Sequence, residues 1–307
     1  MRILATALFS LALMTSVSAT NYTVFSSEIG SSAETIGMGN IGGFGSSAST
    51  LFENPASLYR IKNVGLSGFY TDFILGEVKF MQYSAAFRFG PGILAAGIMD
   101  THVNDIPITG SDSNNEYTLI GTDSYQNSIY KVGYQIDLQP NFHLGLASTY
   151  YSQKIVTANS SGFNLDLGAV LEFNKLSLSL AVQNIVKPLA INYSNGNKET
   201  LPTLLTFGGK YLLTPDLALL GQIKINDLGS NSKYLKAVGI KWAPAWLNNT
   251  FYLSSGWNEF QVLDSLKNKG SLGVGLNISA LSFQFAFEKS DYFEQENQYY
   301  LSTQINF

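Results

Sequence analysis

Short runs in which apolar and polar residues alternate follow one another from about residue 63 to the end of the chain. In the run 281–288, Leu and Phe occupy the odd positions, and Ser, Gln, Ala and Glu occupy the even ones. Because successive side chains of a β-strand point to opposite faces, a period of two predicts strands, and helical spacing fits these windows poorly. About 14 such segments can be counted. After the apolar stretch at residues 3–14, charged, Asn, Gln or Gly residues interrupt every apolar stretch before it reaches the ~20 residues that a transmembrane helix needs.

The connections between these segments alternate between short and long. The short connections contain turn-forming residues and lie at residues 90–92, 139–140, 174–175, 214–216, 244–248 and 279–280. The others are mostly longer and more polar, and lie at residues 103–123, 152–161, 185–201, 227–233, 258–270 and 289–297. Outer-membrane barrels have tight turns at one end and long loops at the other, whereas a soluble sandwich has no reason to sort its loops. The pattern therefore predicts an all-β fold, an antiparallel transmembrane β-barrel of about 14 strands over residues 63–307.

The composition agrees with a surface that faces lipid. Only 13% of the 307 residues are charged, against about 25% in soluble domains, and the chain has 17 Tyr, 20 Phe, 28 Gly and no Cys. Without cysteines, the protein must be stable without disulfides. The net charge of −4 and the lack of basic runs argue against nucleic acid as a partner.

The first 19 residues predict export from the cytoplasm. Arg2 supplies a positive charge, residues 3–14 are apolar, and Val17 and Ala19 place small residues at positions −3 and −1 of a cleavage site. This is the pattern of a secretory signal peptide, so we expect cleavage after Ala19. Together with the barrel pattern, it predicts secretion across the inner membrane of a diderm bacterium and insertion into the outer membrane. The expected partners there are outer-membrane lipid, lipopolysaccharide and the barrel-assembly machinery.

The last strand carries a further sign of assembly. Four apolar residues share one face of the run 299–307: Tyr299, Leu301, Ile305 and Phe307. A terminal Phe that closes an alternating strand resembles the C-terminal signal of bacterial outer-membrane proteins. These residues are therefore predicted to form the assembly signal.

Seven charged residues fall on the polar face of the predicted strands: Arg88, Lys131, Asp166, Lys210, Lys224, Lys241 and Glu288. In a barrel this face lines the lumen. The seven side chains either form an ion-pair network that fills the interior or border a path for a solute.

The sequence gives little support for catalysis, a metal or a cofactor. The chain has two histidines, His102 and His143, and no cluster of ligands has metal spacing. Neither histidine is placed with a candidate serine in the way that a hydrolase requires. Residues 37–42 fit the dinucleotide pattern G-x-G-x-x-G, but no hydrophobic strand precedes them and no βαβ unit surrounds them. We therefore predict a protein that is not an enzyme and has no cofactor, catalytic residue or metal ligand.

Residues 20–62 differ in kind from the barrel and carry a resemblance to known families. The run 36–63, IGMGNIGGFGSSASTLFENPASLYRIKN, resembles the N-terminal signature of the FadL and PorV/PorQ outer-membrane barrels. The local rhythm is closer to PorV/PorQ, and these families form barrels of about 14 strands. The resemblance implies a plug with a motif formed by Gly37, Gly39, Asn54, Pro55 and Ala56. A short helix is expected over residues 49–59, with Pro55 near its first turn.

Two functions of different classes follow from this resemblance. A FadL-like protein would be a channel or transporter for hydrophobic small molecules of the fatty-acid type, released as the plug moves. A PorV/PorQ-like protein would transport nothing and would bind secreted proteins or partners in a secretion machine. The long loops carry apolar residues that suit either a pocket or a protein-contact patch, namely Ile106, Ile108, Leu119, Ile120, Leu189 and Ile191.

Overall fold

The computed structural model describes residues 29–73, 76–111, 117–155, 158–187, 189–194, 196, 198–226, 232–248, 250–262, 265–291 and 297–307. The predicted signal peptide, residues 1–19, and the start of the plug segment, residues 20–28, lie outside the described residues. In the part of the chain that is described, no helix is both long enough and apolar enough to cross a membrane.

Sixteen strands in the described part of the chain form one antiparallel sheet. They are β1 (Val64–Phe73), β2 (Val78–Phe89), β3 (Gly92–Ser111), β4 (Tyr117–Gln139), β5 (Phe142–Ile155), β6 (Ala158–Glu172), β7 (Leu176–Gln183), β8 (Ala190–Tyr193), β9 (Lys198–Thr200), β10 (Leu204–Thr214), β11 (Leu217–Asn226), β12 (Lys233–Trp242), β13 (Phe251–Val262), β14 (Ser265–Ile278), β15 (Leu281–Ser290) and β16 (Asn297–Asn306). Before β1 lie the helix α1 (Ala33–Gly37) and the 3-10 helices Ala48–Phe52 and Pro55–Arg60. A third 3-10 helix, Ala245–Leu247, lies between β12 and β13.

Fourteen strands, β1–β7 and β10–β16, close into a barrel, which confirms the predicted fold class. The closing pair is β1 with β16, in a register that runs from Gly65 opposite Asn306 to Thr71 opposite Tyr300. Closure continues past the ladder, because the Phe307 N–H donates to the Val64 carbonyl at 2.8 Å. The two remaining strands, β8 and β9, form a hairpin attached to β6 at Ser160 and Ser161.

The barrel has two unlike ends. At the turn end, short connections join β2 to β3, β4 to β5, β6 to β7, β10 to β11 and β14 to β15, as predicted. The first barrel strand begins there and the last one ends there. At the loop end, the strands extend further than the sequence predicted. The connections expected at 103–123 and 258–270 are largely strand, because the ladders of β3 with β4 and β13 with β14 continue through them.

The alternation places apolar residues outside and polar residues inside. On β15, Phe283 and Phe285 are exposed on the outer face, whereas Gln284 and Glu288 are buried on the face toward the lumen. On β16, Leu301 is exposed and Ser302 is buried. A water-soluble protein shows the opposite arrangement, so the exposed face is suited to lipid.

We predict a depth-dependent cost for a charge on the outer face. Leu272 and Ile278 are similarly exposed, at 59% and 54%, but Leu272 lies in the middle of β14 and Ile278 ends this strand at the turn end. Leu272→Arg should lower the free energy of unfolding by about 2–4 kcal/mol, because a cation at the bilayer midplane loses its hydration. Ile278→Arg, the control, should cost ~0–1 kcal/mol. Urea unfolding in liposomes measures both, and equal costs would contradict a lipid-facing band.

Candidate functional site in the barrel lumen

The segment before β1 fills the lumen as a plug, which we define as residues 29–61. The helix α1 packs against β13–β16, and the 3-10 helix Pro55–Arg60 packs against the opposite wall, β4–β6. The plug buries Ile36, Leu51 and Leu58 completely. The single helix expected at residues 49–59 is wrong. The chain forms two 3-10 helices there, because Asn54 adopts an extended conformation and caps the second helix.

Asn54 fixes the plug to the wall. Its Oδ1 accepts from the N–H of Ala56 at 2.9 Å, which caps the helix that Pro55 begins. Its Nδ2 lies within hydrogen-bond distance of three acceptors on the wall: the Ser179 hydroxyl at 2.8 Å, the Leu180 carbonyl at 3.1 Å and the Ala169 carbonyl at 3.2 Å. One amide side chain therefore both shapes the plug and joins it to β6 and β7.

The glycines of the motif allow the plug backbone to touch the wall backbone. A Cβ at Gly37 would lie 2.7 Å from the Cα of Gly273, and Gly39 has a φ of +82°. The Gly39 N–H donates to the Ser271 hydroxyl at 3.0 Å. On the wall, a Cβ at Gly256 would overlap the backbone of Gly39. The glycines of residues 37–42 thus allow the plug backbone to approach the wall backbone closely, which explains the glycine pattern by packing.

Glu53 holds the parts of the plug together, a role that the sequence did not reveal. Its carboxylate accepts from the Thr35 hydroxyl at 2.7 Å, from the Gly43 N–H at 2.6 Å and from the Ser31 hydroxyl. Burial raises the pKa of the Glu53 carboxyl, against the hydrogen bonds from Ser31, Gly43 and Thr35, which lower it. The neutral form is therefore favoured more than in water.

A second unpredicted cluster joins the plug to the wall at the turn end. Arg60 pairs with Glu172 at 2.7 Å, and the Tyr59 hydroxyl also donates to Glu172. The Tyr59 ring stacks on the His143 ring, with centroids 3.6 Å apart. The Nδ1 atom of His143 lies 2.5 Å from the Oδ1 atom of Asp137. A charged residue in a segment that enters a barrel needs a partner there, because an unpaired buried charge is costly. Arg60 was therefore the one residue from which the sequence could have indicated this cluster.

Of the seven charged residues predicted to face the lumen, three are buried and four form ion pairs. Asp166 pairs with Lys131 at 2.7 Å, and Glu288 pairs with Lys269 at 3.0 Å and accepts from Tyr300. Lys241 pairs with Glu34 of the plug at 2.5 Å. Two further members of the set, Lys210 and Lys224, line cavities.

Arg88 is the exception in the predicted set. It follows the inward-facing positions of β2 but lies at the rim of the turn end, where it is exposed. Its Nε donates to the Lys62 carbonyl at 2.8 Å. Because β2 ends one residue later, Arg88 does not reach the enclosed lumen.

The predicted assembly residues all lie on β16 or at its end. Tyr299, Leu301 and Phe307 are exposed on the outer face, and Ile305 is partly buried. Tyr299 contacts the rings of Phe285 and Phe287 on the neighbouring strand.

Two of the cavities among the described residues lie beside the plug. The first has about 80 Å³ and is lined by plug residues together with Met99, Ile129, Lys131 and Lys224 of the wall. The second has about 140 Å³ and lies toward the turn end, between the plug and β10–β12. An engineered cavity of about 150 Å³ binds one benzene molecule, so each of these separate cavities has room for one small ring at most, and neither forms a continuous path through the plugged lumen. Within the described ranges, His, Cys, Asp and Glu side chains form no group of three or more that could hold a metal ion.

A cluster of apolar side chains lies inside the loop end. Met99, Val103, Ile129 and Tyr151 are buried there, and the segment between β7 and β10 adds Ile191 and Leu201. Partly buried Ile106, Tyr125 and Tyr193 pack against this cluster. We call these nine residues the apolar mouth.

Solved structures with the same fold are channels and transporters. The toluene transporter TodX of Pseudomonas putida has a TM-score of 0.62 at 13% identity, over 91% of this chain and 98% of that chain. The monoaromatic hydrocarbon channel CymD has a TM-score of 0.62 at 11% identity, over 91% and 98%. The toluene transporter TbuX of Ralstonia pickettii has a TM-score of 0.57 at 12% identity, over 91% and 98%. At these identities the likeness shows the fold. No protein-family model and no curated protein sequence matches the chain.

We expect Gly256→Ala to loosen the plug. The new methyl group would overlap the Gly39 backbone, and such overpacking costs about 1–3 kcal/mol. This cost lowers the equilibrium constant for plug docking at least about fivefold. Single barrels in a planar bilayer should therefore show more frequent high-conductance openings. Gly270→Ala is the matched control, because a Cβ at Gly270 meets nothing within 4 Å. Identical conductance of the two variants would show that the close approach does not hold the plug.

We also expect plug docking to depend on pH through Glu53. A carboxyl whose pKa is raised on docking stabilises the docked plug most at a pH below its ordinary pKa of 4.5. This stabilisation is lost as the pH rises through the raised pKa. Hydrogen exchange of residues 33–42, corrected for its intrinsic pH dependence, should therefore show stronger protection at pH 5 than at pH 8. Glu53→Gln, which cannot ionise, should flatten this dependence. A pH dependence that persists unchanged in Glu53→Gln would rule out Glu53 as its source.

Proposed function

We propose that this protein is an outer-membrane channel of the FadL type, which admits small hydrophobic molecules from outside the cell. The observation that carries the proposal is the combination of an apolar mouth at the loop end with a docked plug below it. The neighbours named as toluene transporters and monoaromatic hydrocarbon channels have this fold, which supports passage rather than catalysis.

The apolar mouth is suited to taking a poorly soluble molecule out of water. Removing apolar surface from water contributes roughly 25 cal/mol per Å², with no need for a specific hydrogen bond. The buried Met99, Ile129 and Ile191 supply side chains for such contacts. Hydrocarbons and the apolar parts of fatty acids share this property, so the proposal covers both classes.

Passage requires the plug to move, because the two cavities are small and both are lined by plug residues. The plug is held by buried apolar side chains and by hydrogen bonds and ion pairs, and these polar contacts can exchange with water. The wall, in contrast, is a closed ladder that cannot open cheaply in lipid. We therefore place the moving part in the plug. None of the solved structures named above is a PorV/PorQ protein, and no contact among the described residues favours the adaptor function.

A reversible lock on the plug tests the proposal. The Ala33 N–H donates to the Ser302 hydroxyl at 2.7 Å, so Ala33→Cys with Ser302→Cys introduces two thiols at adjoining positions in a chain that has no other cysteine. Oxidation should tie α1 to β16 and reduce the uptake of labelled toluene or oleate to the level of cells without the protein. Reduction with dithiothreitol should restore uptake.

Each single cysteine variant is a control and should transport in both conditions. Full uptake by the oxidised double variant, with the disulfide verified by mass spectrometry, would contradict a solute path that the plug blocks. If the parent also fails to raise uptake while secretion-machine components are recovered with it, the adaptor function would replace the channel.

A further inference from the structure

The second cavity differs in character from the apolar mouth. It lies at the turn end, and the connection formed by Pro215 and Asp216 contributes to its edge. Its walls are largely apolar, with Met38 and Phe44 from the plug and Leu220 from β11. Two lysines, Lys210 and Lys241, also line it. A pocket with apolar walls and a few placed polar groups has the general form of a small-molecule site.

The charged groups around Lys210 do not balance. Lys241 is paired with Glu34 at 2.5 Å, and Arg60 is paired with Glu172 at 2.7 Å. These four groups are the charged neighbours of Lys210, whose ammonium group forms no hydrogen bond or ion pair with the described residues. Three cations thus face two carboxylates, and Lys210 is the surplus cation.

One further carboxylate lines the cavity, that of Asp216. It belongs to the turn, since its Oδ1 accepts from the Ala245 N–H at 3.0 Å. It is not one of the charged groups that act on Lys210. The Lys210 ammonium therefore has three donors available for an anion.

We infer that this cavity binds a small amphipathic carboxylate, whose single ring or short chain contacts Phe44 and Leu220 and whose carboxylate pairs with Lys210. The volume of about 140 Å³ is close to the ~150 Å³ that accepts benzene, which suits one ring and excludes a long acyl chain. A charge-assisted hydrogen bond in a partly dehydrated site is stronger than a neutral one, so the anion is favoured over an uncharged ring of the same shape. The inference rests on the proposed function, for which it names a class of molecule held at the turn end.

Calorimetric titration of the purified full-length barrel in detergent tests the site. The probes are benzoate, the uncharged benzamide, and inorganic phosphate, which has charge but no ring. Benzoate should bind at least tenfold more tightly than either of the other two. Lys210→Met should remove the advantage of benzoate over benzamide, and Lys210→Arg should restore most of it.

Two further variants separate the charge from the cavity. Lys175→Met removes an exposed lysine at the same end of the barrel and should leave benzoate binding unchanged. Ala218→Leu adds volume at the cavity wall and should weaken benzoate and benzamide alike. Heat-modifiability on gels establishes that each variant is a folded barrel.

Benzoate binding that is equal in the parent and Lys210→Met, or absent from the parent, would overturn the inference. Either result leaves the proposed function standing if the parent still takes up toluene. If benzoate binds in a Lys210-dependent way but the plug lock has no effect on uptake, the site exists and the proposed channel function fails.

Discussion

The backbone in a bilayer has no water with which to form hydrogen bonds, and the rest of this structure depends on that constraint. Every N–H and C=O group that faces lipid must find its partner in the neighbouring strand, so the sheet must close. Here closure is completed by β1 and β16 and by the Phe307 N–H, which bonds beyond the last rung of the ladder. Closure also reverses the usual placement of side chains, because the outside contacts lipid and the inside must hold the polar groups.

A closed wall creates a second problem, since its polar interior needs partners of its own. The plug supplies them with a few side chains placed at fixed points. Asn54 donates to the wall on one side, and Glu34 pairs with Lys241 on the other. Between these points, wall glycines such as Gly256 let the two backbones touch. The plug is therefore held by many moderate polar contacts besides its buried apolar side chains, and water can replace the polar contacts when the plug leaves.

The barrel was predictable from sequence because its signals are local. Alternation over 281–288 and the turn at 279–280 fix the register of β14 with β15 without any distant residue. The strand ends at the loop end were not predictable, since the alternation fades where the ladder leaves the lipid, as in β3 after Val103. The site was only partly predictable. Motif glycines and Asn54 were visible, but the pairing of Arg60 with Glu172 joins residues far apart in sequence whose meeting depends on how deeply the plug enters.

The distribution of ion pairs gives the lumen a direction. Lys131 with Asp166 and Lys269 with Glu288 join wall to wall, so they survive the departure of the plug. The pairs that involve Glu34 and Arg60 join plug to wall, and both lie at the turn end. When the plug leaves, charges on the wall lose their partners there, and an unpaired buried charge is costly unless water enters. Water must therefore enter the turn end when the plug leaves. The apolar mouth holds no charge that loses its partner, so nothing there requires hydration. A hydrophobic molecule would thus meet a dry entrance and a hydrated exit, and a polar group on that molecule would matter only at the exit.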